Sequence, residues 1–370
     1  MKYIFLSAGR TGGPLMPLVS IISNLEGYTP VIIGIKNSFE SKYASEHGIL
    51  FVSLFESKSQ LHSFKSSSYL DKIRLYLQGF WAFSLLCINI VKSIYLQIQY
   101  KPKGVISAGG FTAVPMILAS RVTNFVGLTK TKIIIHQQDP DVGLTNKITA
   151  RFADYLSCVF ESTKRIPPFE KAIIIPNPLD TEAFDSANSK VISNDRLNNF
   201  YANSTQPILL VYGGGSGSQS INNWVWDNSQ DLLSKFDIIH LTGILQNDKP
   251  KSVLNTNYIG LPSLSKEMPY ILKRSDVIIC RAGLGSISEL LYLQKSAFLV
   301  PLPRSHQENN AREVSKYFEI LEEKDMSDWA SVISKKYPNE FSKKVYPNPL
   351  ETEQKLNEYT SKIKGILDKS

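Results

Sequence analysis

Cysteine is scarce in this chain. Cys87, Cys158 and Cys280 are spread over 370 positions and sit in apolar runs. That spacing excludes a disulfide framework and a cysteine-built metal knot, and it fits a reducing compartment. Histidine is as sparse: five residues without ligand spacing, which predicts a site free of metal. No apolar run reaches the roughly 20 residues that a bilayer crossing needs, the longest being 79–91, GFWAFSLLCINIV. The first residues, MKYIFLSAGR, hold one lysine and a short apolar run before glycines, so they read as a strand and not as a secretion signal. The net charge is +8, yet no stripe of Arg and Lys interleaved with aromatics accompanies it, which argues against nucleic acid and leaves an anionic membrane surface as the basic side's partner. At this length a single α/β core is exceeded, and two domains are expected.

What the chain does carry is a repeated unit of strand, glycine turn and helix, clearest at residues 275–303. Val277 to Cys280 is a β-branched run suited to a buried parallel strand. Arg281-Ala282-Gly283-Leu284-Gly285 breaks it, and Ser286 is placed to cap a helix carrying Ile287, Leu290, Leu291 and Leu293. A glycine turn feeding a helix leaves N–H groups pointing outward with the positive end of the dipole behind them, a site for phosphate oxygens. Glu289, one turn in, suits a vicinal diol such as a ribose; its plainer role is a solvated acid near a helix start. Together these predict a nucleotide-diphosphate site.

Taken in order, strand 2–8 leads to Gly9-Arg10-Thr11-Gly12-Gly13 and a helix from about Pro17 to Leu25. Strand 30–35 ends in Gly34-Ile35-Lys36-Asn37, without the acid that a dinucleotide site places there, which argues against an NAD-type oxidoreductase. Residues 69–100 read as one or two helices. A core helix is the plain reading, and the sharper one puts Phe80, Trp81 and Phe83, beside Lys72, Arg74 and Lys92, in a membrane interface. Strand 104–107 opens a second glycine turn, Gly109-Gly110. Strand 131–135 ends in His136-Gln137-Gln138-Asp139, and strands at 155–159 and 172–175 close on Pro176-Asn177-Pro178. From Leu179 to about Gln206 the text turns polar, rich in Asn and Ser, as a domain crossing would. Strand 207–212 then opens a third turn, Gly213 to Ser218, and strand 237–241 precedes the 275–303 unit. The expected fold is α/β: two doubly wound, Rossmann-like domains, 1–178 and 179–348, presenting four glycine turns across a cleft. A basic amphipathic helix, 349–370, can pack back on either domain.

The series GRTGG (9–13), SAGGFTAVP (107–115), HQQDPDVGLTNK (136–147), PNPLD (176–180), GGGSGSQSIN (213–222), HLTG (240–243), CRAGLGSISE (280–289) and HQENNA (306–311) resembles the MurG family, in glycosyltransferase family 28. The motifs spread over about residues 4–315, most of the chain. The resemblance implies the GT-B fold and inverting transfer of N-acetylglucosamine from UDP-N-acetylglucosamine (UDP-GlcNAc) to undecaprenyl-diphospho-N-acetylmuramoyl-pentapeptide (lipid I), giving the β-1,4-linked product lipid II. It also implies no cofactor and a peripheral place on the cytoplasmic face of a bacterial plasma membrane.

Carried over residue by residue, the resemblance puts the donor diphosphate on the backbone of Gly283, Leu284, Gly285, Ser286, Ile287 and Ser288, the ribose on Glu289, and the sugar on Gln307 and Asn310. Arg281, Gly215, Ser216, Asp180 and, by the uracil, Ser265 complete the donor set. Thr11, Gly12, Gly13, Gly109 and Gly110 would receive the acceptor diphosphate, the first three and Asp139 also lying toward the donor. The family's GGTGGH ends here in Pro14, its HEQN reads His136-Gln137-Gln138-Asp139, its GNPVR ends in Asp180, and its GGS serine is Gly215. With Pro14 where a histidine is expected, His136 and Asp139 are the candidates for general base. His136 also reads as a hydrogen-bonded strand-end histidine, Arg281 as a brace for its turn, and Gln307 and Asn310 as capping residues. A related UDP-sugar:lipid transferase, a UDP-sugar 2-epimerase and a weakened homologue that only binds are the alternatives.

Overall fold

The computed structural model describes residues 1–9, 11–56, 69–186, 194–244, 256–264 and 267–369, with 69–77 as backbone only. Ser265 lies outside them. The chain divides into two compact units, Met1–Pro178 with Leu356–Ser370, and Leu179–Lys355.

In unit 1, strands β1 (Lys2–Ser7), β2 (Tyr28–Ile35), β3 (Leu50–Leu54), β4 (Gly104–Ser107), β5 (Lys132–Gln137), β6 (Tyr155–Cys158) and β7 (Ile173–Ile174) form a parallel sheet in the order 3-2-1-4-5-6-7. The chain steps outward from β1 to β3 and then restarts on the other side of β1. The turns after β1 and β4 therefore meet where the order reverses, the place where open α/β sheets bind ligands. They meet closely: a Cβ on Gly110 would lie 2.6 Å from the Gly9 Cα, and the two residues have φ of +86° and +102°. Only glycine fits both demands.

Helix α1 (Gly12–Ser23) begins at the glycines and not near Pro17. The first four N–H groups of a helix have no partner within it, so Gly12-Gly13-Pro14 cost little there. Helices α2 (Phe39–Glu46), α3 (Tyr69–Tyr100), α4 (Ala113–Phe125) and α5 (Leu144–Thr149) follow. Residues 69–100 are one helix, and its segment Gln78–Tyr100 is long and apolar enough to cross a membrane by length and composition. That corrects the expectation drawn from 79–91 alone. Its inner face packs on α4 and, besides Leu85 and Leu96, buries polar groups, with Asn89 bonded to both backbone groups of Phe55 (2.9 and 2.8 Å) and Gln97 to Ser120 (2.7 Å) and Thr131 (2.9 Å). The C-terminal helix, Pro349–Asp368, completes the opposite face of the sheet. Tyr359, Ile363 and Leu367 are buried in the cluster around Ile4, Leu6 and Ile106, and Leu367 fills the space that a side chain on Gly104 would need.

In unit 2, strands β8 (Ile208–Tyr212), β9 (Asp237–Leu241), β10 (Tyr258–Leu261), β11 (Val277–Arg281), β12 (Ser296–Val300) and β13 (Glu319–Ile320) form a parallel sheet in the order 10-9-8-11-12-13. The reversal repeats the plan of unit 1, here between β8 and β11.

Candidate functional site

At the reversal point of unit 2, the helix Leu284–Tyr292 starts directly after β11, with Gly283 as its N-cap in extended conformation. Ser286 is thus inside the first turn and does not cap it, because an extended Gly283 already delivers the chain into the helix. Ile287 N–H bonds the Gly283 carbonyl at 3.0 Å, which leaves the N–H groups of Leu284, Gly285 and Ser286 without intrahelical partners. Glu289 lies one turn beyond Gly285 on the same face, and side chains on a helix lean toward its N-terminus. Its carboxyl is half-buried beside Tyr212 and Cys280, and desolvation pushes it up to about 7. An anion site and a desolvated acid on one helix face suit a diphosphate joined to a diol.

Several residues expected to touch the donor also make bonds within the protein. The Arg281 guanidinium pairs with Glu323 (2.6 Å), donates to Ser218 Oγ (2.6 Å), and reaches the carbonyls of Val300 and Pro301 (both 3.4 Å). It is a brace, joining the turn after β8 to the start of the helix. Asn310 is fully buried and donates to the Ala282 carbonyl at 3.3 Å, fixing the turn from below. Gln307 Oε1 accepts from Leu302 N–H at 3.0 Å. Asp180 is exposed and caps the helix Thr181–Asp185 through Ala183 N–H at 3.1 Å. By contrast Gly215 and Ser216 are exposed on the β8 turn. That turn is pinned to Gly243, where a Cβ would come 2.2 Å from Gly217 Cα.

In unit 1, Thr11 is the exposed N-cap of α1, with Gly12 and Gly13 in its first turn and Gly109-Gly110 alongside Gly9. The end of β5 braces both turns. His136 is fully buried with both ring nitrogens engaged, Nδ1 with Ser157 Oγ (3.0 Å) and Nε2 with Asn177 Oδ1 (3.4 Å), and burial pushes its pKa down to about 4. A group so enclosed cannot meet a substrate hydroxyl, so the structure removes His136 as general base and makes it a bracing residue. Asp139, half-exposed just past the strand, keeps the role open to it. Gln137 donates from Nε2 to the carbonyls of Asp139 (2.8 Å) and Asp141 (3.1 Å) and accepts from Asn146 Nδ2 (2.7 Å). Glutamate could not donate those two bonds, so the amide is the side chain this loop requires. Asp139 and Asp141 also have an Asp-x-Asp spacing that the expectation of a metal-free site passes over. Among the described residues no group of three His, Cys, Asp or Glu side chains that could hold a metal includes them.

The expected membrane residues are exposed: Phe80 at 71%, Trp81 at 61% and Phe83 at 64%. Sequence reading missed other exposed apolar residues, for Phe125 (92%), Val126, Leu128, Leu144 and Ile148 are exposed on or after α4 and α5. The sequence carries no signal for them, because exposure is decided by packing. Lys92, expected beside the patch, is committed to the Ser53 carbonyl (2.6 Å) and the Phe55 ring.

Comparison with known proteins agrees with this organisation. Residues 4–157 match the glycosyltransferase family 28 N-terminal domain, and residues 208–361 its C-terminal domain. A Clostridium botulinum (strain Loch Maree / Type A3) protein named UDP-N-acetylglucosamine--N-acetylmuramyl-(pentapeptide) pyrophosphoryl-undecaprenol N-acetylglucosamine transferase is 30% identical over 384 residues, covering 100% of this chain and 99% of its own. The Clostridium tetani (strain Massachusetts / E88) protein of the same name is 29% identical over 376 residues, covering 99% and 97%. Among solved structures, Acinetobacter baumannii MurG superposes with a TM-score of 0.68 at 18% identity over 100% of both chains. A Listeria monocytogenes protein titled putative UDP-N-acetylglucosamine 2-epimerase does so with 0.64 at 9% identity, over 100% of this chain and 98% of its own. At those identities the likeness is one of fold, the two-domain GT-B architecture. Over its whole length, then, this chain is a member of the MurG family within glycosyltransferase family 28.

Proposed function

We propose that this protein is the inverting transferase that moves N-acetylglucosamine from UDP-GlcNAc to lipid I, forming lipid II for peptidoglycan. The observation that carries the reading is Glu289, a desolvated carboxyl on the same helix face as the free N–H groups of residues 284–286. The diphosphate sits on those amides and the ribose hydroxyls donate to Glu289. As the acceptor hydroxyl attacks the anomeric carbon, the bond to UDP breaks and its electrons pass to the diphosphate, where N–H donors and the helix dipole stabilise them. The hydroxyl proton goes to Asp139. The acceptor diphosphate rests on the turns at Gly12-Gly13 and Gly109-Gly110. Conversion of radiolabelled UDP-GlcNAc and lipid I to lipid II tests the whole reading. A donor altered without acceptor would mean an epimerase, and UDP binding with no product at high enzyme would mean a binding protein. Asp139→Ala is expected to cut kcat at least 100-fold with little change in the donor KM, and an unchanged kcat would remove Asp139 from the mechanism.

The polyprenyl tail of such an acceptor stays in the bilayer, so the enzyme works at its surface. The exposed apolar faces of α3 and α5, with Lys147 and Arg151 exposed on or just after α5, form the contact, and the protein is peripheral on the cytoplasmic leaflet.

A further inference from the structure

A continuous chain of buried hydrogen bonds runs through unit 1 from the C-terminal helix to the first glycine turn. Tyr359 Oη lies 2.9 Å from Ser157 Oγ, which lies 3.0 Å from His136 Nδ1. His136 Nε2 lies 3.4 Å from Asn177 Oδ1; Gln138 Nε2 donates to the same oxygen at 3.1 Å and to the Gly13 carbonyl at 3.3 Å. All five side chains are buried. A neutral imidazole that donates from Nε2 accepts at Nδ1, so the donors run in one direction: Tyr359 to Ser157 to His136 to Asn177. The far end of the chain is prepared by the sequence. Pro17, inside α1, has no N–H to give the carbonyl four residues back, which is that of Gly13, and Gln138 takes the vacancy. Separately, at the second turn, Gln137 holds Asn146. The Asn146 Oδ1, buried and without a hydrogen-bond partner, would lie 3.3 Å from a Cβ on Gly109.

We propose that Tyr359 is a positioning residue for the acceptor turn at Gly12-Gly13, acting through Ser157, His136, Asn177 and Gln138. The proposal rests on the reading of that turn as the acceptor diphosphate site. Tyr359→Phe removes the first donor and keeps the ring that stacks on Tyr155. Its KM for lipid I rises about three- to tenfold, the range of one net hydrogen bond, while the donor KM and UDP affinity by calorimetry stay within about twofold. Ser157→Ala does the same, and the double variant is no worse than either single one, because both break one chain. Asp368→Asn is the control. It loosens the helix's other tie, to Tyr28 (2.7 Å) and Lys2 (3.0 Å), and leaves the acceptor KM alone. An unchanged acceptor KM in Tyr359→Phe, or an equal rise in Asp368→Asn, overturns the proposal. Amide hydrogen exchange at residues 11–15 is measured on the same variants without substrate, and Tyr359→Phe is expected to speed it. If the wild type makes no lipid II, the functional reading falls, while exchange unaltered by Tyr359→Phe sinks the coupling by itself.

Discussion

Glu289 is held near neutrality by burial, and that gives donor binding a pH dependence with a definite sign. Its folded-state pKa, raised to about 7 from the usual carboxylate range, means the empty site favours the protonated acid below that pH. On the proposed reading, two ribose hydroxyls donate to the group and stabilise its ionised form. UDP affinity therefore climbs as pH rises from 5.5 to about 7.5 and then levels. Stability of the empty protein runs the other way: the contribution of this group is present below the unfolded pKa and lost as pH rises through 7. Calorimetric UDP binding across this range checks it, and in Glu289→Gln the climb disappears along with much of the affinity. At Gln137 the reverse substitution is informative. Gln137→Glu aims carboxylate oxygens at the carbonyls of Asp139 and Asp141, at a cost of about 1–3 kcal/mol in denaturant unfolding. The introduced acid has a raised pKa, so the variant is nearest wild type at low pH and falls behind as pH rises. The glycines at 9, 109 and 110 were legible residue by residue, since their positive φ admits little else. The distinction between His136 and Asp139 was not, because it is a matter of burial. Nor was the role of Arg281, whose partner Glu323 lies in a distant segment.

Helix α3 is built inside out. A helix on a soluble sheet normally turns its apolar stripe inward, whereas here Asn89, Ser93 and Gln97 are buried and Phe80, Trp81, Phe83, Val91 and Tyr95 face outward. Spacing alone shows that an apolar stripe exists; the buried polar partners, from residues near 55, 120 and 131, decide which way it faces. The element's length was likewise readable only in part, since the polar residues that break its hydropathy are those that anchor it. The same blindness affects the edge strands β3, β10 and β13, to which the sequence reading assigns no element. They are short, and their place is set by the strand beside them. The outward stripe predicts that the protein floats with vesicles of phosphatidylglycerol. Trp81→Glu together with Phe83→Glu is expected to lower the floated fraction severalfold without moving Tm, as both positions are already in water. Equal flotation of the variant would place the membrane contact elsewhere.

For the molecule as a whole, unit 1 is not finished until the last residues of the chain arrive. The domain crossing near residue 179 was visible as a change of texture, but the return of the C-terminal helix to the first unit was one of two open choices, because amphipathicity names a face and not its partner. The structure settles it through Tyr359, Ile363 and Leu367, which close the sheet face lined by Ile4, Leu6, Ile106 and Ile134. Removing residues 356–370 uncovers that face, and each lost aliphatic anchor is worth about 2–5 kcal/mol, a large part of what a unit of this size has to spare. Unit 2 keeps its own cluster, including Trp224 and Trp329, and Trp226 is also buried there, whereas Trp81 lies exposed in unit 1. Tryptophan emission thus reports mainly on unit 2. In urea the truncated chain is expected to lose helical circular dichroism in an early step at nearly constant emission, with the emission change following near its original midpoint. Coincident loss of both signals would mean that the two units do not unfold separately.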